Sequence, residues 1–376
     1  MAKLLFLVSS LQGGGAERIA CVLCNAWSEQ GHLVTLMPTF SGRAARAYSI
    51  SDRVVVDHLV DHVNGSRSRI QRLVTLRKRI KQHDPDVIVS FLPMVNIAAI
   101  LSTLGSRYPV IACERIYPPA HSPPLTRFQE FMRRKLYPRA KALVAQTQEV
   151  ADWLHRRFPK TQIHIVANPI ELPLPQSLPW IEPSTFAGTR QKLILTVGRL
   201  DPQKRMHLLV EAFHRISTEA SEWILAILGT GPERTCLEHK IAKLGLSERV
   251  LMPGFVGNPG DWYNRAELFV LPSQSEGFPN ALAEAMAHGT ASIAFDIKTG
   301  PAEISQHGQR ALLLPDHSPV DSLSAAMLNL ISDPTARSEL GHKALSVTDD
   351  FNLEKILRDW DQVICSVIGA ERWHDV

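Results

Sequence analysis

Cysteine is scarce, with five in 376 residues. That is too few for a disulfide framework and points to a reducing compartment. Cys21 and Cys24 form a C-x-x-C, but they fall inside a helical pattern with no second pair, so they read as buried helix thiols. Long hydrophobic runs are also missing. The opening MAKLLFLVSS holds about five apolar residues in succession, too short for a signal peptide's apolar region or a membrane span. It reads as a buried first strand. No low-complexity tract appears, and no glycine cluster has the G-x-G-x-x-G or G-K-[ST] spacing of a dinucleotide fingerprint or phosphate loop.

What is present is globular: 45% of residues are hydrophobic and 21% charged. The length suits two domains rather than one core. Net charge is +4, unevenly spread. Residues 1–170 hold 23 Lys and Arg against 11 Asp and Glu, a net of +12, and the remainder hold 18 against 26, a net of −8. Such asymmetry suits a first half that faces something anionic.

Short apolar runs alternate with helical patterns along both halves. KLLFLVS (3–9), HLVTLMPT, DVIVSFL, PVIACE, ALVAQT and IHIVANP read as strands of the first half, and helices are expected at 16–31, 68–84, 95–105, 127–140 and 148–158. Between Pro169 and Gly188 the pattern stops for a stretch with four prolines, a linker composition. Alternation then restarts with KLILTVG, WILAILG, RVLMPG, LFVLPS, ASIAF and ALLLP, and helices are expected at 206–219, 232–245, 259–265 and 279–288. Strands alternating with helices predict parallel βαβ units. The expected fold is therefore α/β with two successive domains, 1–170 and 171–351.

Ligands of open parallel sheets bind beyond the carboxyl ends of the strands, so residues just after each strand are the candidates. LQGGGAER follows the first strand. Its glycines allow close backbone approach, and the next helix start favours an anion. RLDPQKR follows KLILTVG, placing Arg199 and Lys204 where two cations suit a pyrophosphate. SEGFPNALAEAMAHGT (275–290) follows LFVLPS. Pro279 suits a first helical position and Gly289 the helix end. The amides of Asn280, Ala281 and Leu282 would then face a phosphate, with Glu276 before the helix and Glu284 inside it. Each stretch also has a plainer account: a turn that needs glycine, a solvated loop, or a helix cap beside a surface Glu.

Together these stretches resemble the retaining glycosyltransferases of GT-B fold, family 4 (group 1). The residues that carry the resemblance are GGGAER (13–18), VGRLDPQKR (197–205), LGTGPE (228–233) and PSQSEGFPNALAEAMAHGT (272–290), whose Glu276 and Glu284 match the family's E-x7-E pair. The GGAER variant is similar to a branch that often acts on lipid-linked oligosaccharides or builds bacterial surface glycans. The resemblance implies two Rossmann-like doubly wound domains with a cleft between them, and a C-terminal helix (352–376) that packs back on the first domain.

It also implies a UDP- or GDP-linked sugar as co-substrate, with no other cofactor and no metal. Arg199, Lys204 and Glu276 would be catalytic, the two cations on the diphosphate and Glu276 on the transferred sugar. Gly14, Gly15, Gly229, Val256, Phe278, Asn280, Ala281, Leu282 and Glu284 would bind the donor, with Glu284 on the ribose hydroxyls. Many relatives carry a His after the fourth strand of the first domain. Glu114 and Arg115 stand there instead, as candidates for the acceptor, with His121 nearby. A non-catalytic sugar-nucleotide or glycan-binding relative is the alternative, and the intact Arg, Lys and Glu pair argues against it. The two patterns fit a GT-B epimerase poorly.

Two basic helical segments complete the sequence reading. RSRIQRLVTLRKRIK sets Arg69, Arg72 and Arg79 against a face of Ile70, Leu73, Leu76 and Ile80, and RFQEFMRRKLYPR adds Arg133, Arg134 and Lys135. Such segments can lie on an anionic membrane. The expectation is a cytoplasmic protein, peripheral on the inner face of the plasma membrane. Nucleic acid is not an expected partner, because no aromatic stacking motif accompanies the charge.

Overall fold

The computed structural model describes residues 1–40, 48–63, 68–120, 124–186, 191–317 and 319–374. The chain forms two compact units, Met1–Pro169 with Leu353–Val376, and Ile170–Asn352.

The first unit is built on seven parallel strands: β1 (Lys3–Val8), β2 (Leu33–Pro38), β3 (Val55–Val56), β4 (Val87–Phe91), β5 (Val110–Cys113), β6 (Ala142–Ala145) and β7 (Ile163–Ile165). Their order is β3-β2-β1-β4-β5-β6-β7. Strands such as VIVSF read as unbroken apolar runs because helices cover both sheet faces. Helices α1 (Gly15–Glu29), α2 (Arg69–His83), α3 (Pro93–Thr103), α4 (Arg127–Leu136) and α5 (Gln148–Arg157) are the connections. α2 to α5 share one face, where Leu76, Ile80, Val95, Leu136 and Leu154 join Leu5, Leu7 and Ile88 in a single core. On the other face Phe6 meets Trp27 of α1.

The second unit has six parallel strands: β8 (Lys192–Val197), β9 (Trp223–Leu228), β10 (Val250–Gly254), β11 (Leu268–Leu271), β12 (Ala291–Phe295) and β13 (Leu312–Leu314), ordered β10-β9-β8-β11-β12-β13. Its helices are α6 (Met206–Arg215), α7 (Arg234–Lys243), α8 (Pro259–Arg265), α9 (Asn280–Ala287), α10 (Pro301–Ile304), α11 (Pro319–Ser332), α12 (Pro334–Ala344) and α13 (Val347–Phe351). The chain then returns to the first unit as α14 (Leu353–Ile368) and α15 (Ala370–His374). There Trp360 packs edge-on against Trp27 at 5.6 Å, and Trp373 stacks on His32 at 3.9 Å.

Three differences from the sequence reading have physical causes. The Pro-rich stretch is a docked strap rather than a free linker. Ser177 N donates to Gly257 O at 2.8 Å, Gly257 N to Pro179 O at 2.7 Å, and Trp262 Nε1 to Ile181 O at 2.9 Å. Proline cannot donate, so the strap's prolines contribute carbonyls. On α2, Leu76 and Ile80 face the core, but Ile70 points to solvent. Arg79 turns to Asp57, which it holds with His62 and His83. On α4, Arg133 is not a surface cation. It is buried, binds Glu130 through two hydrogen bonds and lies over the Trp153 ring at 4.6 Å. A seventh short strand, β3, and the helices α10 to α13 also lie outside the sequence reading.

Candidate active site

Strand order in the second sheet reverses between β8 and β11, so the loops after these two strands diverge and leave a crevice at their carboxyl ends. The β8 loop carries Arg199 and Lys204, and the β11 loop carries Glu276. Lys204 Nζ donates to Glu276 Oε1 at 2.6 Å, and the Glu276 side chain is 8% exposed. Arg199 stands further out, 72% exposed, its guanidinium tethered to Asp201 Oδ2 at 2.7 Å. Asp201 also caps the 3-10 turn Pro202–Lys204, which fixes where the Lys204 stem begins.

The two loops are stitched together along their backbones. Gln203 Nε2 donates to Ser275 O at 2.6 Å, and Gln274 N to Gln203 O at 2.9 Å. The Thr299 hydroxyl donates to Glu276 O at 2.5 Å. Arg205 is the largest stitch. It adopts a left-handed conformation, φ 49°, uncommon for a side chain of its size. Its guanidinium donates to Pro272 O at 2.9 Å, Ser273 O at 3.1 Å and Asp316 Oδ1 at 2.7 Å, over the Phe295 ring. The sequence signal for Arg205 was its place beside Lys204; its partners lie 67 or more residues away.

α9 starts at Asn280, with Pro279 as its cap rather than its first residue. That shift engages two of the three amides expected to face a phosphate: Asn280 N donates to Phe278 O, and Leu282 N to Pro279 O. Ala281 keeps a half-exposed place in the first turn, where the helix dipole favours an anion. Glu284 is buried, and Tyr263 donates to its Oε2 at 3.0 Å. Tyr263 also packs beside His288, whose pKa burial lowers. Phe278 is buried edge-on against Phe351 at 5.3 Å.

Gly229 sits at φ 133°, and a Cβ there would collide with the Gly198 carbonyl. This glycine therefore lets the β9 loop nest under the β8 loop that carries Arg199. Val256 is buried beside Gly257, where the strap crosses.

In the first unit the expected site residues are placed as follows. Gly14 and Gly15 begin α1, but the space over Gly14 is taken by Glu17, whose Oε1 accepts from the Ser9 and Ser10 hydroxyls at 3.2 Å each. A diphosphate arriving there would meet a carboxylate of like charge. Glu17 was missed, although Glu at the third helical position after a capping residue is a recognisable signal. Glu114 and Arg115 are not presented to an acceptor either. Glu114 is buried, accepts from Tyr137 Oη at 2.6 Å and faces Arg133 Nη1 at 3.6 Å. Arg115 is buried over the Phe91 ring at 4.1 Å and donates to Asn168, and burial pulls its pKa down to about 10. His121 lies outside the described residues.

Residues 181–347 match the family model "Glycosyl transferases group 1", and residues 13–173 match "Glycosyltransferase Family 4". The chain is 28% identical over 378 residues to a Campylobacter jejuni α-1,4-N-acetyl-D-galactosaminyltransferase, named for a GalNAc-containing diNAcBac-PP-undecaprenol, with 98% of this chain and all of that one covered. It is 27% identical over 371 residues to an exopolysaccharide phosphotransferase of Streptomyces coelicolor; 90% of this chain is covered, and it spans only 38% of that protein's length. Among solved structures it is similar to Anabaena HepE in complex with UDP and glucose, with TM-score 0.77, 18% identity, and 98% and 100% of the two chains covered.

Proposed function

The chain belongs to the group 1, family 4 glycosyltransferases of GT-B fold, and from that premise we propose that it transfers a hexose or N-acetylhexosamine, with retention, from a nucleotide-diphosphate sugar to a sugar hydroxyl of a lipid-linked glycan in bacterial surface polysaccharide synthesis. The observation that carries this reading is the contact of Lys204 with Glu276 at the switch point, beside the first turn of α9.

The donor diphosphate lies over the β8 loop and the α9 start. Lys204 and Arg199 stabilise the charge that grows as the bond from the sugar C1 to the phosphate oxygen breaks. The acceptor hydroxyl attacks C1 on the same face, and its proton passes to the departing diphosphate. Glu276 accepts hydrogen bonds from the transferred sugar's hydroxyls. Glu284, held by Tyr263, takes the ribose hydroxyls, and the Gly254–Val256 loop borders the base. Positioning and charge stabilisation supply the acceleration. Glu114 and Arg115 act as buried supports of the acceptor-side loops.

The undecaprenol-diphosphate acceptor in the Campylobacter relative's name supports a lipid-linked acceptor. UDP in the HepE structure supports a uridine donor over a guanosine one. Thermal unfolding with a panel of UDP- and GDP-sugars tests the reading. The matching donor at a hundred times its Kd adds roughly 2.7 kcal/mol of stability, and transfer to a polyprenyl-diphosphate glycan yields an α-linkage from an α-donor. Absence of stabilisation by every nucleotide sugar would overturn the proposal.

A further inference from the structure

A helix that covers a sheet turns its apolar residues inward and its polar ones out. α2 and α4 depart from this. On α2, Ile70 is 75% exposed and Val74, one turn on, 64%; on α4, Phe128 is 67% exposed and Phe131 55%. Each helix already buries a separate inward set, Leu76 and Ile80 on α2 and Arg133 and Leu136 on α4. The outward residues are therefore surplus to the core. α3 packs between the two helices and touches both, so these side chains belong to one face of the unit. Exposed apolar surface of this kind marks an interaction site.

Charge selects the partner. α2 carries six Lys and Arg and no acid. Some are engaged: Arg79 binds Asp57, and Arg77 donates to the carbonyls of Ser102 and Leu104. Arg69, Lys78 and Lys81 are exposed. On α4 the single acid, Glu130, accepts from Arg133 with both oxygens. Arg127, Arg134 and Lys135 are exposed beside the two phenylalanines, with Lys135 Nζ 5.9 Å from the Phe131 ring centre.

We propose that this face of α2 and α4 docks on an anionic lipid bilayer, with Phe128 and Phe131 seated at the headgroup level. A bilayer satisfies both halves of the surface: headgroup phosphates meet the cations, and the acyl boundary takes the apolar side chains. A second copy docked through the same face would set like charges against like. Nucleic acid would meet the cations but gain nothing from Ile70 and Val74. The proposal deepens the functional reading, since it would hold the first unit where a lipid-linked acceptor lies, but it needs no transfer reaction to be tested.

The test is flotation of the full chain with vesicles of phosphatidylcholine alone or with added phosphatidylglycerol. Wild type floats with the anionic vesicles, does not float with the neutral ones, and is released by salt. Each cation near the surface contributes roughly fivefold in affinity, so exchanging two cations for acids in Arg134→Glu/Lys135→Glu weakens binding by roughly twenty-fivefold or more. Phe128→Ser/Phe131→Ser weakens it by roughly tenfold or more. Both variants retain the wild-type melting temperature and its rise with donor, because neither pair lies in the core or the donor crevice. Equal binding to neutral vesicles, no binding, or binding that both variants leave unchanged overturns the proposal. So does a dimer in sedimentation that Phe128→Ser/Phe131→Ser returns to monomer, because the phenylalanines would then have a protein partner. Failure of every nucleotide sugar alongside normal vesicle binding would sink the functional reading and leave this one standing.

Discussion

Lys204 and Glu276 are 72 residues apart in sequence, yet Nζ and Oε1 lie 2.6 Å from each other on the two loops that flank the reversal of the second sheet. Neither charge is there for stability alone, since a largely buried ion pair is close to neutral against its desolvation cost. In the proposed reaction a diphosphate competes for the ammonium and so frees the carboxylate to meet the sugar.

Substituting either partner should therefore hurt chemistry more than folding. Lys204→Ala and Glu276→Ala each lower kcat by roughly a hundred- to a thousandfold. Because the groups act together, the double variant is scarcely worse than the single ones. Steady-state kinetics beside thermal melts check this, and additive losses would argue for separate roles.

The contacts of Arg205 suit a positioning residue. Arg205→Gly relaxes the left-handed backbone but removes three hydrogen bonds to the segment before Glu276 and to Asp316. The expected result is a kcat lowered about tenfold or more through loss of alignment, with the donor KM changed far less. Arg205→Lys, which keeps the charge but not the fork, should not restore it. A fall in stability with kcat intact would make the residue merely structural.

Gly229→Ala places a methyl against the Gly198 carbonyl at a backbone angle that disfavours any Cβ. The β8 loop must then move. Stability should fall by about 2 kcal/mol, and donor binding should weaken with it, as calorimetry with UDP can read.

Asp57 gives a pH signature. Burial alone would raise its pKa, but hydrogen bonds from His83, Arg79 and His62 prevail and hold the carboxyl well below the usual range. A depressed folded-state pKa stabilises above the unfolded value of about 3.9 and loses that contribution as pH falls through the folded one. Asp57→Asn should therefore cost about 2 kcal/mol at neutral pH, and the gap to wild type should narrow in acid. Denaturant melts across that range check the sign.

The parallel sheets were legible because strands buried on both faces, such as KLLFLV and KLILTV, stand out as apolar runs between helical patterns. β3 was not, because two residues leave no period to read. Helices α11 and α12 were passed over because no strand separates them to mark the alternation. Their places after β8 and β11 made Lys204 and Glu276 candidates beside Arg199 and Glu284, and the resemblance to the GT-B family gave them their expected roles. Spacing could not show the stitches of Gln203, Arg205 and Thr299, which depend on contacts across the sheet. Glu114 and Arg115 looked presented because they end a strand. Tyr137, Arg133 and Asn168, which draw them inside, are 19 to 53 residues away.

The bridge between Ile170 and Asn352, with Ile170 N donating to Phe351 O at 2.6 Å, sets the points where the polypeptide enters and leaves the second unit side by side. In genetic terms the second unit is an insertion into the first. Residues 170–352 could be cut out as one uninterrupted piece, whereas a shortened gene ending before Leu353 would strip Trp360 and Trp373 from the first unit's core and spoil the half of the protein it was meant to preserve.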